Sequence, residues 1–172
     1  MMRASLLFVA LASLAVAGCK KKEEGSPASS GSTAASAKPG AELAKPASPT
    51  KLPKLDLQLD VPGEVLVSDG IGAEGHLVNG PSVGAISIEV AKEAQTLDQA
   101  KSDAEAFTPK NLKSETLADG WALTFENTGS MGTNYWVTVR REIGGKSIAC
   151  TTTGGEAAQA AAVLAACKTL RP

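Results

Sequence analysis

The feature that most limits what this chain can fold into is a change of composition near residue 54. From Lys20 to Lys54 it reads KKKEEGSPASSGSTAASAKPGAELAKPASPTKLPK, with no aromatic residue and only Leu43 and Leu52 as large apolar side chains. A segment so poor in apolar surface cannot offset the entropy of ordering itself, so it reads as a disordered tether or spacer. As a flexible coil it would span roughly 30–35 Å. The core must then come from residues 55–172, enough for one domain. Charge divides at the same place: residues 1–54 hold eight Lys/Arg and three Asp/Glu, residues 55–172 nine and fifteen. An acidic folded part argues against a nucleic-acid partner, because neutralising phosphates takes clustered cations.

Ahead of the tether, Met1-Met2-Arg3 precedes an apolar run from Ala4 to Ala17, and Gly18 is followed by Cys19. A positive start, a short apolar core and small residues at a cleavage point make a secretory signal. The run is too short for about 30 Å of hydrocarbon. Val16-Ala17-Gly18-Cys19 resembles the lipobox of bacterial lipoproteins, with Val16 in place of the usual leucine. The resemblance implies cleavage after Gly18, lipid on the Cys19 thiol and an acylated new amino terminus. Residues 1–18 are then a signal peptide, 19–54 a lipidated tether and 55–172 the folded domain. Lys20, in second mature position where Asp would favour retention, implies the outer membrane of a Gram-negative envelope. Lys20-Lys21-Lys22 suits anionic headgroups.

With Cys19 set aside for lipid, Cys150 and Cys167 remain as an even pair in an oxidising compartment, where disulfides persist. The alternative is two buried thiols.

Within the domain, Leu55, Leu57, Leu59 and Val61 alternate with polar residues, as a half-buried strand does. Shorter strands are expected at Val65–Val67 and Leu77–Val78, and a clear one through Ile86, Ile88 and Val90. Thr96-Leu97-Asp98-Gln99 has the form of a capping box, and Leu97, Ala100, Ala104 and Phe107 mark one helical face before Thr108-Pro109 stops it. Four strands follow: 111–117, Trp121–Phe125, Tyr135–Arg140 and Lys146–Thr152. Their expected links are a hairpin at Asp119-Gly120, a polar loop from Asn127 to Gly132, and a turn at Gly144-Gly145. The alanine-rich stretch from Glu156 predicts a final helix. Its apolar stripe is Ala160, Val163, Leu164, Cys167 and Leu170, which points Cys150 and Cys167 inward from adjacent elements.

Several motifs resemble chemistry without its context. Gly70-Ile71-Gly72-Ala73-Glu74-Gly75 fits G-x-G-x-x-G, yet no helix can follow at His76–Pro81, so it reads as a loop. Gly80-Pro81-Ser82-Val83-Gly84 fits G-x-S-x-G, but a strand follows Ser82 and the single histidine, His76, precedes it, against the hydrolase order. Asp69, Glu74 and His76 match no calcium or zinc pattern and read as solvated loop residues. No cofactor or metal is expected. Tyr135 and Trp136 face opposite ways on a strand. With Met131 they are either packing or a contact patch.

The order of elements gives an α+β domain: a central antiparallel sheet with two helices packed on it. Across roughly residues 85–172 that order resembles the PsbP-like α/β/α sandwich, which implies an accessory or binding protein. The expected function is that of a non-enzymatic envelope lipoprotein. Its partners would be membrane lipid through Cys19 and another envelope protein or the cell wall. The alternatives are a small hydrolase using Ser82 and a small-ligand carrier, the last needing an apolar cavity between sheet and helix.

Overall fold

In the computed structural model, residues 46–70 and 74–172 are described. The expected signal peptide, Cys19 and the expected tether as far as residue 45 lie outside them. The elements are β1 (Ala47–Leu52), β2 (Leu57–Pro62), β3 (Leu66–Asp69), β4 (Gly75–Gly80), β5 (Gly84–Val90), α1 (Leu97–Glu105), β6 (Lys110–Leu117), β7 (Gly120–Gly129), β8 (Gly132–Ile143), β9 (Lys146–Gly154) and α2 (Ala157–Lys168). Seven strands form one sheet in the order β3-β4-β5-β9-β8-β7-β6, antiparallel throughout. From β5 the chain crosses through α1 to the far edge. It then returns by hairpins until β9 pairs with β5.

Alternation along the strands loads both faces of this sheet. On one, Val78, Ile86, Ile88, Ala122, Val137, Val139 and Cys150 meet Val163, Ala166 and Cys167 of α2, with Leu170 just beyond. On the other, Trp121, Leu123 and Phe125 pack against Ala100 and Ala104 of α1. One helix therefore covers each face. The α1 capping box forms as the sequence predicts: the Gln99 N–H donates to Thr96 Oγ1 at 3.2 Å, and the Thr96 N–H to Gln99 Oε1 at 2.8 Å. The helix ends at Glu105, short of Phe107. Phe107 instead lays its ring 4.8 Å from that of Trp136, which stacks on Phe125 at 5.4 Å.

The structure corrects three expectations. The folded unit begins before Leu55: β1, inside the expected tether, pairs along β2, and Leu52 is fully buried. Composition misses it because β1 contributes one core side chain and is ordered mainly by backbone pairing. The expected loop from Asn127 to Gly132 is a hairpin instead. Its strands pair out to Gly129 and Gly132, so only Ser130 and Met131 turn the chain. Polar side chains there conceal strands whose ladder bonds come from the backbone. His76, expected to be solvated, is 3% exposed on β4. It receives the Lys54 N–H on Nε2 at 3.0 Å, and its Nδ1 lies 3.4 Å from the Ser68 carbonyl. That pattern fits a neutral ring protonated on Nδ1.

Turn chemistry follows the glycines. Gly144 and Gly145 adopt φ of 60° and 74°, the pair of positive values that a two-residue type I′ hairpin requires. Gly120 has a different role: a Cβ there would sit 1.9 Å from the Arg140 carbonyl oxygen. A side chain at this position would break the β7–β8 contact.

Candidate functional site

What positions the site is the way α2 is fixed. Cys150 on β9 and Cys167 on α2 are joined by a disulfide, with Cα atoms 5.9 Å apart, a spacing such bridges favour. Arg141 of β8 grips the Asp119 carboxylate through Nε at 2.5 Å and Nη2 at 2.7 Å, and donates from Nη1 to the Lys168 carbonyl at 2.6 Å. Past the helix, Arg171 exchanges backbone hydrogen bonds with Gln58 of β2 at 2.8 and 3.0 Å. Its guanidinium also holds Asp60 at 2.7 and 3.0 Å. These ties hold α2 over β8 and β9 with the β1–β2 hairpin on one flank.

The other flank is uncovered. Between α2 and the β6–β7 side of the sheet runs a trough with a cavity of about 340 Å³. Its wall is Ala157, Ala160, Ala161 and Leu164, and its floor includes Thr124, Tyr135 and Val137. A smaller cavity of about 140 Å³ continues it past Ala122 to Ser114 and Glu115, where Lys168 pairs with Glu115. Alanines make the wall shallow, which is why space remains beside a helix that otherwise packs tightly. Half-buried Ala160 and Leu164, which the sequence assigns to the core stripe, are the apolar groups left over.

The polar rim comes from β6 and β7. Asn111, at φ 52° beside an irregularity in the β6–β7 register, donates from Nδ2 to the Glu126 carboxylate. Lys113 lines both cavities, and its ammonium makes no ion pair or hydrogen bond among the described residues. The two rim carboxylates are thus engaged while the ammonium is not.

The residues singled out in the sequence are not gathered in one place. Tyr135 floors the trough. Trp136 also borders that cavity but packs chiefly on the opposite face, with its Nε1 donating to Asn127 Oδ1 at 3.0 Å, and Met131 stands 99% exposed at a hairpin tip. Ser82 is exposed on the β4–β5 turn, and both nitrogens of His76 are engaged elsewhere. Asp69 pairs with Lys54 at 2.9 Å; that bond holds its carboxyl below the usual range. No group of three metal-ligating side chains occurs among the described residues, and none of their helices is long and apolar enough to cross a membrane. On the α1 face, Nε and Nη1 of Arg140 are buried without a partner among the described residues, closed to any ligand in this conformation.

The trough residues Asn111, Lys113, Ala157 and Ala161 escape sequence reasoning, because alanine in a helix signals propensity alone. A usable hint is the width of the α2 apolar surface, greater than one sheet contact consumes. Comparison of the sequence with protein-family models and with curated proteins finds no match.

Arg141 sets an acid limit on this scaffold. Its hydrogen bonds to Asp119, more than its charge alone, hold that carboxyl below its ordinary 3.8. A carboxyl depressed on folding contributes stability above its unfolded pKa and loses it as pH falls through the folded one. Asp119→Asn is therefore expected to lower the melting temperature at pH 7, with the gap to wild type closing below about pH 4. Thermal unfolding at both pH values measures this.

Proposed function

We propose that this chain is a lipid-anchored binding module of the bacterial envelope, of the outer membrane in a Gram-negative host, held away from the bilayer by its tether and binding through the trough beside α2. The observation that carries the binding reading is an apolar cavity between sheet and helix whose wall is left half-exposed by an otherwise well-pinned helix. Ligand sites are concave, mostly apolar and equipped with a few polar groups, and range from about 300 to 1,000 Å³. The anchor rests on the lipobox at Val16–Cys19. The Cys150–Cys167 bond supports it, since of the three cysteines it leaves Cys19 unused by that pair. A helix on each face of an antiparallel sheet supports the PsbP-like arrangement. The cavity favours small-ligand carriage as the specific form of binding. Hydrolysis through Ser82 is less favoured, since the imidazole it would need is engaged elsewhere.

The test has two arms in living cells. Labelled palmitate is expected to enter the wild-type chain and not Cys19→Ser. A photocrosslinker at position 161 is expected to give a discrete adduct that one at exposed Glu142 does not. Absence of label would remove the anchor, and absence of the adduct would remove the trough as the binding site.

A further inference from the structure

We propose that the ligand of this trough is a small amphiphilic anion, an apolar chain or ring bearing one carboxylate or similar acidic head. This rests on the reading of the trough as the binding site and goes further by naming the chemical class. The first observation is size. A cavity of about 340 Å³ lies within the range of small-molecule pockets. The second is the lining: Ala157, Ala160, Ala161, Leu164 and Val137 offer an apolar body a continuous surface.

The third observation is charge. Within an acidic domain, three charged side chains border the two cavities besides the Lys168 tie: Lys113, Glu115 and Glu126. Glu126 receives the Asn111 amide and Glu115 the Lys168 ammonium. Lys113 alone is without a partner among the described residues. An anionic head placed against this exposed ammonium gains a charge-assisted hydrogen bond at the rim. A cationic head would meet the Lys113 charge there and find Glu115 already paired with Lys168, so that only Glu126 would favour it. Tyr135, in the same lining, carries a hydroxyl that can serve as a second donor for an acidic head.

The experiment is calorimetric titration of the full chain carrying Cys19→Ser, so that no acyl chain of its own competes. The probes are decanoate, decanol and decylammonium. Decanoate is expected to bind saturably at one site and decylammonium at least about tenfold more weakly. Lys113→Glu is expected to weaken decanoate about tenfold or more. Ala161→Trp, at an exposed position that leaves the core intact, is expected to abolish binding by filling the trough. If decanol matches decanoate and Lys113→Glu changes neither, while Ala161→Trp abolishes both, the anionic class is wrong and the trough reading stands. If no probe binds yet the crosslink from position 161 still forms, the ligand class is again overturned alone. Decanoate binding untouched by Ala161→Trp would overturn the proposal by placing the amphiphile elsewhere.

Discussion

Replacing Cys150 and Cys167 together with alanine is expected to lower the unfolding free energy by about 3 kcal/mol or more and the melting temperature by about 10–15 °C. The bridge joins cysteines 17 positions apart. In the chain-entropy model a loop near that size removes about 3 kcal/mol of freedom from the unfolded chain. Both sulfurs belong to fully buried residues, so alanine also leaves a small void on the contact between β9 and α2. The loop-closure part of the effect, without the void, should also be seen when wild type is unfolded in a reductant strong enough to open the bond. Circular dichroism melts of both samples measure it. A loss well below about 1 kcal/mol would mean that Arg141 and the Arg171–Asp60 pair hold α2 unaided.

Leu52→Ala is expected to destabilise the domain by about 3 kcal/mol, in the range found for emptied leucine sites. The neighbouring Lys51→Ala should stay within about 0.5 kcal/mol, as exposed substitutions do. The contrast tests where the folded unit begins. Leu52 is 0% exposed in the same cluster as Leu57, Leu59 and Val61, although it lies in a stretch whose composition is that of a tether. A chain cut to begin at Leu55 would also lose β1, exposing one side of β2 and the β2 side chains that β1 helps to cover. Chemical denaturation of the two point variants settles it; equal, small effects would put Leu52 outside the core.

These two predictions also mark the limits of what could be read in advance. The disulfide was legible because three local signals agreed: an odd cysteine accounted for at the amino terminus, a strand placing Cys150 inward, and a helix placing Cys167 on its apolar stripe. The strand–helix–strands–helix order was legible for the same reason, since alternation and capping are properties of near neighbours. β1 was not, because Ala47–Leu52 holds only one buried residue and gains its order from pairing with β2. Trp136 and Tyr135 were correctly separated by the pleat, yet what covers each ring depends on Phe107 and α2, which approach from distant parts of the chain.

The sequence by itself determined the signs a short stretch can carry: the polar composition ahead of residue 54, the periods of strand and helix, and the inward direction of both paired cysteines. Only the tertiary structure decided where α2 comes to rest, because that follows from the bridge, from Arg141 and from the Arg171 pairing acting together across the fold. The trough is what that resting place leaves uncovered, a property of the distance between elements that no stretch of the chain encodes alone.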